Sequence, residues 1–92
     1  MLNFPITTKN GIKLVTGHKI NKDFFCHKSE STNQWVVTDA RSGLLVEKGF
    51  KKGTDCFDWV KTSDLSILEQ KRSTPRYAEI CKKIQEWKEA NL

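Results

Sequence analysis

The sequence predicts an α+β fold: an antiparallel sheet of about five strands, followed by two to three helices packed on one of its faces. Three observations predict it. Alternating apolar positions broken by hairpin signals run through residues 1–53. Helical spacing with capping residues runs through residues 54–92. The strands all precede the helices, an order that favours a sheet with its helices gathered on one side. At 92 residues and 37% hydrophobic side chains, the chain predicts a single domain, 1–92, with one modest core. Five Phe, three Trp and one Tyr raise the packing available to it.

The first hairpin is predicted by Asn10-Gly11 between ITTK and IKLV, because both central residues of a type I′ turn need positive φ. Pairing Lys9 with Ile12 sets Ile6 opposite Val15, with Phe4 and Leu2 on the same face. Pro5 cannot donate to a ladder, so this strand belongs at a sheet edge. Residues 17–22 (GHKINK) read as a polar connection. Residues 23–28 (DFFCHK) read as a third strand, with Phe24 and Cys26 on one face and Phe25 and His27 on the other. His27 is expected at the surface and Cys26 in the core.

Residues 29–33 are a polar loop. The fourth strand spans 34–39, with Trp35 and Val37 on one face and Val36 and Thr38 on the other. Asp39 starts a turn that Gly43 closes in the left-handed region, and residues 44–49 return as the fifth strand. Both faces of this hairpin are apolar, which places it in the middle of the sheet.

Thr54 is the predicted N-cap of the first helix, with Asp55 and Asp58 near its positive end and Cys56, Phe57 and Val60 facing the core. Ser63 would cap a second, short helix carrying Leu65, Ile67 and Leu68. Thr74-Pro75 marks a clear restart, an N-cap followed by proline at the first helical position. Tyr77, Ile80, Cys81, Ile84 and Trp87 then recur at three- and four-residue steps as one apolar stripe.

The net charge is +5. Residues 1–53, the sheet half, hold nine Lys/Arg against four Asp/Glu, whereas residues 54–92, the helical half, hold seven of each and are neutral. Cys26, Cys56 and Cys81 are an odd number with no CxxC spacing, which favours free thiols in a reducing compartment. No apolar run approaches the roughly 20 residues of a membrane span, and residues 1–11 lack a secretory pattern. A cytoplasmic protein without a membrane partner is expected.

No catalytic motif stands out. Cys26 and His27 are strand neighbours and point to opposite faces, which separates a thiol from its base. The Cys and His spacings suit no metal site. Asp55, Asp58 and Asp64 are accounted for as helix-start charges. The expectation is a protein that is not an enzyme and uses no cofactor or metal. The remaining signal is the basic surface. Lys13, Lys28, Arg41, Lys48, Lys51 and Lys52 are its candidate partner-binding residues, with Lys51 and Lys52 leading into a helix start where an anion is favoured. Phe24, Phe25 and Trp35 read as core before they read as stacking platforms.

Residues 35–59 carry a Trp-initiated strand, a Ser42-Gly43 turn, a return strand and a Gly49-Phe50-Lys51-Lys52 step into a helix. This unit resembles small phage and mobile-element proteins, anti-CRISPR inhibitors among them. It is also similar to the sheet-then-helix unit of arm-type DNA-binding domains of phage integrases and of AP2-like domains. The chain departs from the arm pattern at residues 52–56, where arm domains carry Thr and an Ala-rich helix. The resemblance implies a non-enzymatic phage or mobile-element protein that inhibits a host defence nuclease complex by occlusion. Its partner would be a host protein or ribonucleoprotein complex with an anionic surface, since a basic chain is no mimic of nucleic acid. The alternative is a nucleic-acid-binding module that sets its basic sheet face on DNA or RNA.

Overall fold

The computed structural model describes residues 2–92, with the side chain of Ile67 left out. Five strands come first: β1 (Leu2–Thr8), β2 (Gly11–Lys19), β3 (Phe24–Lys28), β4 (Trp35–Asp39) and β5 (Leu45–Phe50). Helices α1 (Gly53–Thr62), α2 (Ser66–Arg72) and α3 (Pro75–Asn91) follow. The strands form one antiparallel sheet in the order β1-β2-β3-β4-β5. The fold is α+β, as the sequence predicts. No helix among the described residues is long and apolar enough to cross a membrane.

Directly paired residues share a face, so the β3–β4 register sorts the core. Phe24 opposite Asp39, Cys26 opposite Val37 and Lys28 opposite Trp35 lie on one face. Phe25 opposite Thr38 and His27 opposite Val36 lie on the other. The first face receives α1. Cys56 and Val60, one turn apart, pack with Phe24, Cys26 and Val37, and Trp59, Leu65 and Leu68 close the margin. On the second face the Phe4 ring stacks on Phe25 at 4.2 Å. Ile84, the buried residue of the α3 stripe, belongs to a helix that lies against β1.

The sheet rolls until β1 meets the β4–β5 turn. The Thr7 N–H donates to the Gly43 carbonyl at 2.9 Å, and Thr7 Oγ1 donates to the Ser42 carbonyl at 2.6 Å. Gly43 sits at φ +70°, and a Cβ there would lie 2.7 Å from the Thr7 nitrogen. Only glycine meets both demands.

The first hairpin departs from its predicted register. Thr8 pairs with Gly11 and Phe4, rather than Ile6, faces Val15. Gly11 takes a positive φ while Asn10 does not, so the turn is not type I′. Thr8 sets it instead: its Oγ1 accepts the Asn10 N–H at 3.2 Å and donates to the Gly11 carbonyl at 2.7 Å. The shift is by two residues, an even number, so every side chain keeps its face. β1 is an edge strand, in agreement with Pro5.

Other expectations need correction. β2 continues to Lys19, through half of the segment read as a polar connection. Only β4 of the second hairpin is internal; β5 is the other edge, and Leu45 is 56% exposed. The N-cap of α1 is Lys52 rather than Thr54, with the Asp55 carboxylate accepting the Lys52 N–H at 3.3 Å. Cys56 and Val60 keep the core face, and Phe57, about 100° round the helix from Cys56, falls on its outer flank at 39% exposure. Ser63 ends α1, where its N–H donates to the Trp59 carbonyl, and Asp64 receives the Ser66 N–H at the start of α2. The expected core role of Ile67 lies outside the described residues. The Thr74-Pro75 start of α3 is as predicted, with Thr74 Oγ1 accepting the Tyr77 N–H.

Candidate basic interface and the neighbouring hollow

Lys28, Trp35 and Phe50 lie side by side across β3, β4 and β5 at one end of the sheet. Lys51 and Lys52 follow Phe50 directly and lead into α1. Trp35 fixes this end. His18 stacks on it at 5.7 Å, and a Cβ on Gly53 would touch three ring carbons at 3.5 Å. The first residue of α1 therefore rests on the indole, which holds the Lys51-Lys52 step beside the Lys28 strand end. Lys28, Lys51 and Lys52 are exposed. Lys48, also exposed, precedes Gly49, whose φ of +92° marks the irregular pairing of β5 with β4.

The other two candidates sit differently. Lys13 pairs with Glu30 at 3.3 Å, between exposed side chains. Arg41 lies at the opposite end of the sheet, in the 40–43 turn, where it pairs with Asp23 at 3.1 Å. The structure thus gathers Lys28, Lys48, Lys51 and Lys52 and sets Arg41 apart.

The expectation of a surface His27 is overturned. His27 is buried, with Nε2 3.2 Å from Thr38 Oγ1, and burial lowers its pKa. Phe25, Val36 and Thr38 share its face, which is part of the interior rather than a surface. Cys26 lies on the other face, beside Cys56 in the α1 core, although the two are 30 positions apart in sequence. Burial raises both thiols, Cys56 to about 12. The thiolate is the reactive form. Iodoacetamide at pH 8 is therefore expected to modify the half-buried Cys81 first and to leave Cys26 and Cys56 unlabelled until the fold opens. Peptide mass mapping checks this, and early labelling of Cys56 would contradict the packing of α1 on β3.

A polar cluster that the sequence does not announce lies at the end of the sheet where Arg41 sits. Asp39 is 1% exposed. Its Oδ1 accepts from Arg72 Nη2 at 2.7 Å, and its Oδ2 accepts from the Tyr77 hydroxyl and the Ser42 hydroxyl, each at 2.6 Å. Burial pushes the Asp39 carboxyl up, but the bonds from Ser42, Tyr77 and Arg72 outweigh it and hold the group below the ordinary aspartate value. Burial and the Asp39 bond together push the Tyr77 hydroxyl up. The Arg72 guanidinium also lies over the Phe24 ring, 5.4 Å from its centre.

Sequence reasoning gave Asp39 a turn role and Tyr77 a place on an apolar stripe. The partners are 33 and 38 residues away, so no local spacing marks them. Above this cluster opens a hollow of about 570 Å³, walled mainly by apolar side chains of β5, α1 and α2. Among the described residues, no group of three or more His, Cys, Asp or Glu side chains is placed to hold a metal ion. No protein-family model matches this chain, and comparisons with curated proteins and with solved structures give no match.

Proposed function

We propose that this chain is a non-enzymatic binding protein of phage or mobile-element type that occludes an anionic surface of a host protein or ribonucleoprotein complex. A defence nuclease complex in the host cytoplasm is the partner class that fits the resemblance of residues 35–59. The observation that carries the reading is the convergence of Lys28, Lys51 and Lys52 around the Trp35 anchor, with Lys48 beside them. A rigid strand end and a helix start present these charges, so little ordering is needed when a partner docks.

Binding of free DNA or RNA through the sheet face is the weaker reading. Phe24 and Phe25 are buried, and Trp35 is held between His18 and Gly53. None of the three offers an open ring face for a base. Contacts to nucleic acid would then be to phosphates, which position a protein without reading sequence.

The test is the triple variant Lys28→Glu/Lys51→Glu/Lys52→Glu. Exposed substitutions usually stay within about 0.5 kcal/mol each, so the melting temperature should change little. Binding to a purified defence nuclease complex should fall strongly, because like charges across an interface cost several kcal/mol. A folded triple variant that inhibits as well as the parent eliminates this surface. Binding of naked DNA or RNA that falls steeply with salt in the parent would favour the alternative.

A further inference from the structure

The hollow beside Asp39 has no part in the basic-end reading and faces a different end of the sheet. Its apolar walls are Leu44, Leu45 and Val46 from the second hairpin, Trp59 from α1, Leu65 just before α2 and Leu68 within it. At about 570 Å³ it falls within the range of sites that take drug-sized ligands, which are typically apolar with a few convergent polar groups.

Three charged side chains reach it: Asp39, Asp64 and Lys71. Asp39 is committed on both oxygens, to Arg72, Tyr77 and Ser42. Asp64 stands in water at the rim and takes the Ser66 N–H on Oδ1 at 3.0 Å. The Lys71 ammonium has no carboxylate partner among the described residues. It is the one charged group of the three with all its hydrogen-bonding capacity free.

We propose that this hollow binds an amphipathic carboxylate, with its apolar body against the Leu44–Val46 hairpin arm and Trp59 and its carboxylate on Lys71. The class is a medium-chain aliphatic acid or an aromatic acid with one anionic end. The Asp39 cluster serves as a pre-formed floor. Its carboxylate is already satisfied, so an apolar group can approach it without stranding a charge.

The experiment is a titration of the full chain with dodecanoate, kept below its micellar concentration and followed by backbone amide chemical shifts. One-to-one saturable shifts confined to residues 44–46, 59 and 65–71 are expected. Lys71→Glu should weaken dodecanoate several-fold, as reversing the charge of an exposed ion-pair partner does, and should leave dodecanol nearly unaffected. Leu45→Glu changes an exposed lip residue and should weaken both. Dodecyltrimethylammonium should bind less well than dodecanoate. The Lys28/Lys51/Lys52 triple variant should bind dodecanoate as the parent does, which separates this site from the basic interface. Absence of saturable shifts overturns the proposal. So do shifts centred elsewhere, an unchanged affinity in Lys71→Glu, or equal binding of the cationic probe.

Discussion

Asp39→Ala is expected to destabilise the fold by about 3–5 kcal/mol, the range for removing one partner of a buried ion pair. The pair is buried on both sides: Asp39 is 1% exposed, and the Arg72 side chain is 10% exposed. Without the carboxylate, the guanidinium is left with Asp23 at 3.9 Å and the exposed Glu69 at 3.7 Å, both too long for a strong bond. The Tyr77 and Ser42 hydroxyls lose their acceptor in the same step. For a domain of this size each kcal/mol moves the melting temperature by about 4–8 °C, so a thermal melt should fall by more than about 10 °C. A loss of only two or three degrees would show that the cluster is not coupled to global stability.

The same group gives the fold an acid limit of known sign. The folded-state pKa of Asp39 lies below its unfolded value of about 3.9. The folded chain therefore binds fewer protons than the unfolded chain as pH falls through this range. The contribution is complete above about pH 5 and is lost as pH falls through 3.9 toward the folded value. Asp39→Ala should flatten this part of the stability profile.

Phe25→Ala is expected to cost about 3–5 kcal/mol, the range for truncating a large core aromatic. Phe25 is 1% exposed and takes the Phe4 ring at 4.2 Å with an interplanar angle of 7°. The stack crosses from β3 to the edge strand β1, with β2 between them. Its loss therefore weakens both the interior and the attachment of the edge. A double-mutant cycle with Phe4→Ala should return a coupling of about 0.5–1.5 kcal/mol, the range for an aromatic pair. Phe57→Ala, at a position more than a third exposed, is the control and should be close to neutral in urea denaturation. Equal losses at positions 25 and 57 would place the core on the wrong side of α1.

The contrast between those two phenylalanines shows what the sequence carries. Strand parity is a local property with a period of two, and it assigned Phe24, Phe25, Cys26, Val36 and Val37 to their faces. It survived even the shifted register of the first hairpin, because a slip of two preserves the face. Helix facing was legible at Cys56 and Val60, one turn apart, but not at Phe57, because three residues on adjoining helical directions cannot all reach a flat sheet and the sequence does not say which one clears it. The apolar stripe of α3 was legible because Thr74-Pro75 fixes its start. The basic end was legible in composition but not in arrangement. Lys28, Lys51 and Lys52 come together only through the strand order and the Trp35 contact with Gly53. Arg41 stands at the hairpin tip, as its place in the turn implies, but its ion pair was not legible, because Asp23 lies 18 positions away, in the loop before β3. The Asp39 cluster was not legible at all. It draws on β4, its following turn, α2 and α3, and each of its members has an ordinary local explanation.

Residues 39–43 hold more than the hairpin they close. Thr7 of β1 is bonded to the carbonyls of Ser42 and Gly43, while Arg72 of α2 and Tyr77 of α3 are bonded to Asp39. The beginning and the later part of the chain are therefore anchored to one five-residue loop rather than to separate supports. Such a loop lies in the path of both kinds of opening: fraying of β1 removes its Thr7 bonds, and undocking of the helices removes its Asp39 bonds. The hairpins around it close over short loops. The hub spans separations of 33 to 38 residues, so closing it costs more chain entropy than closing the hairpins does. A turn that reads in the sequence as a simple reversal thus acts as the clasp of the molecule.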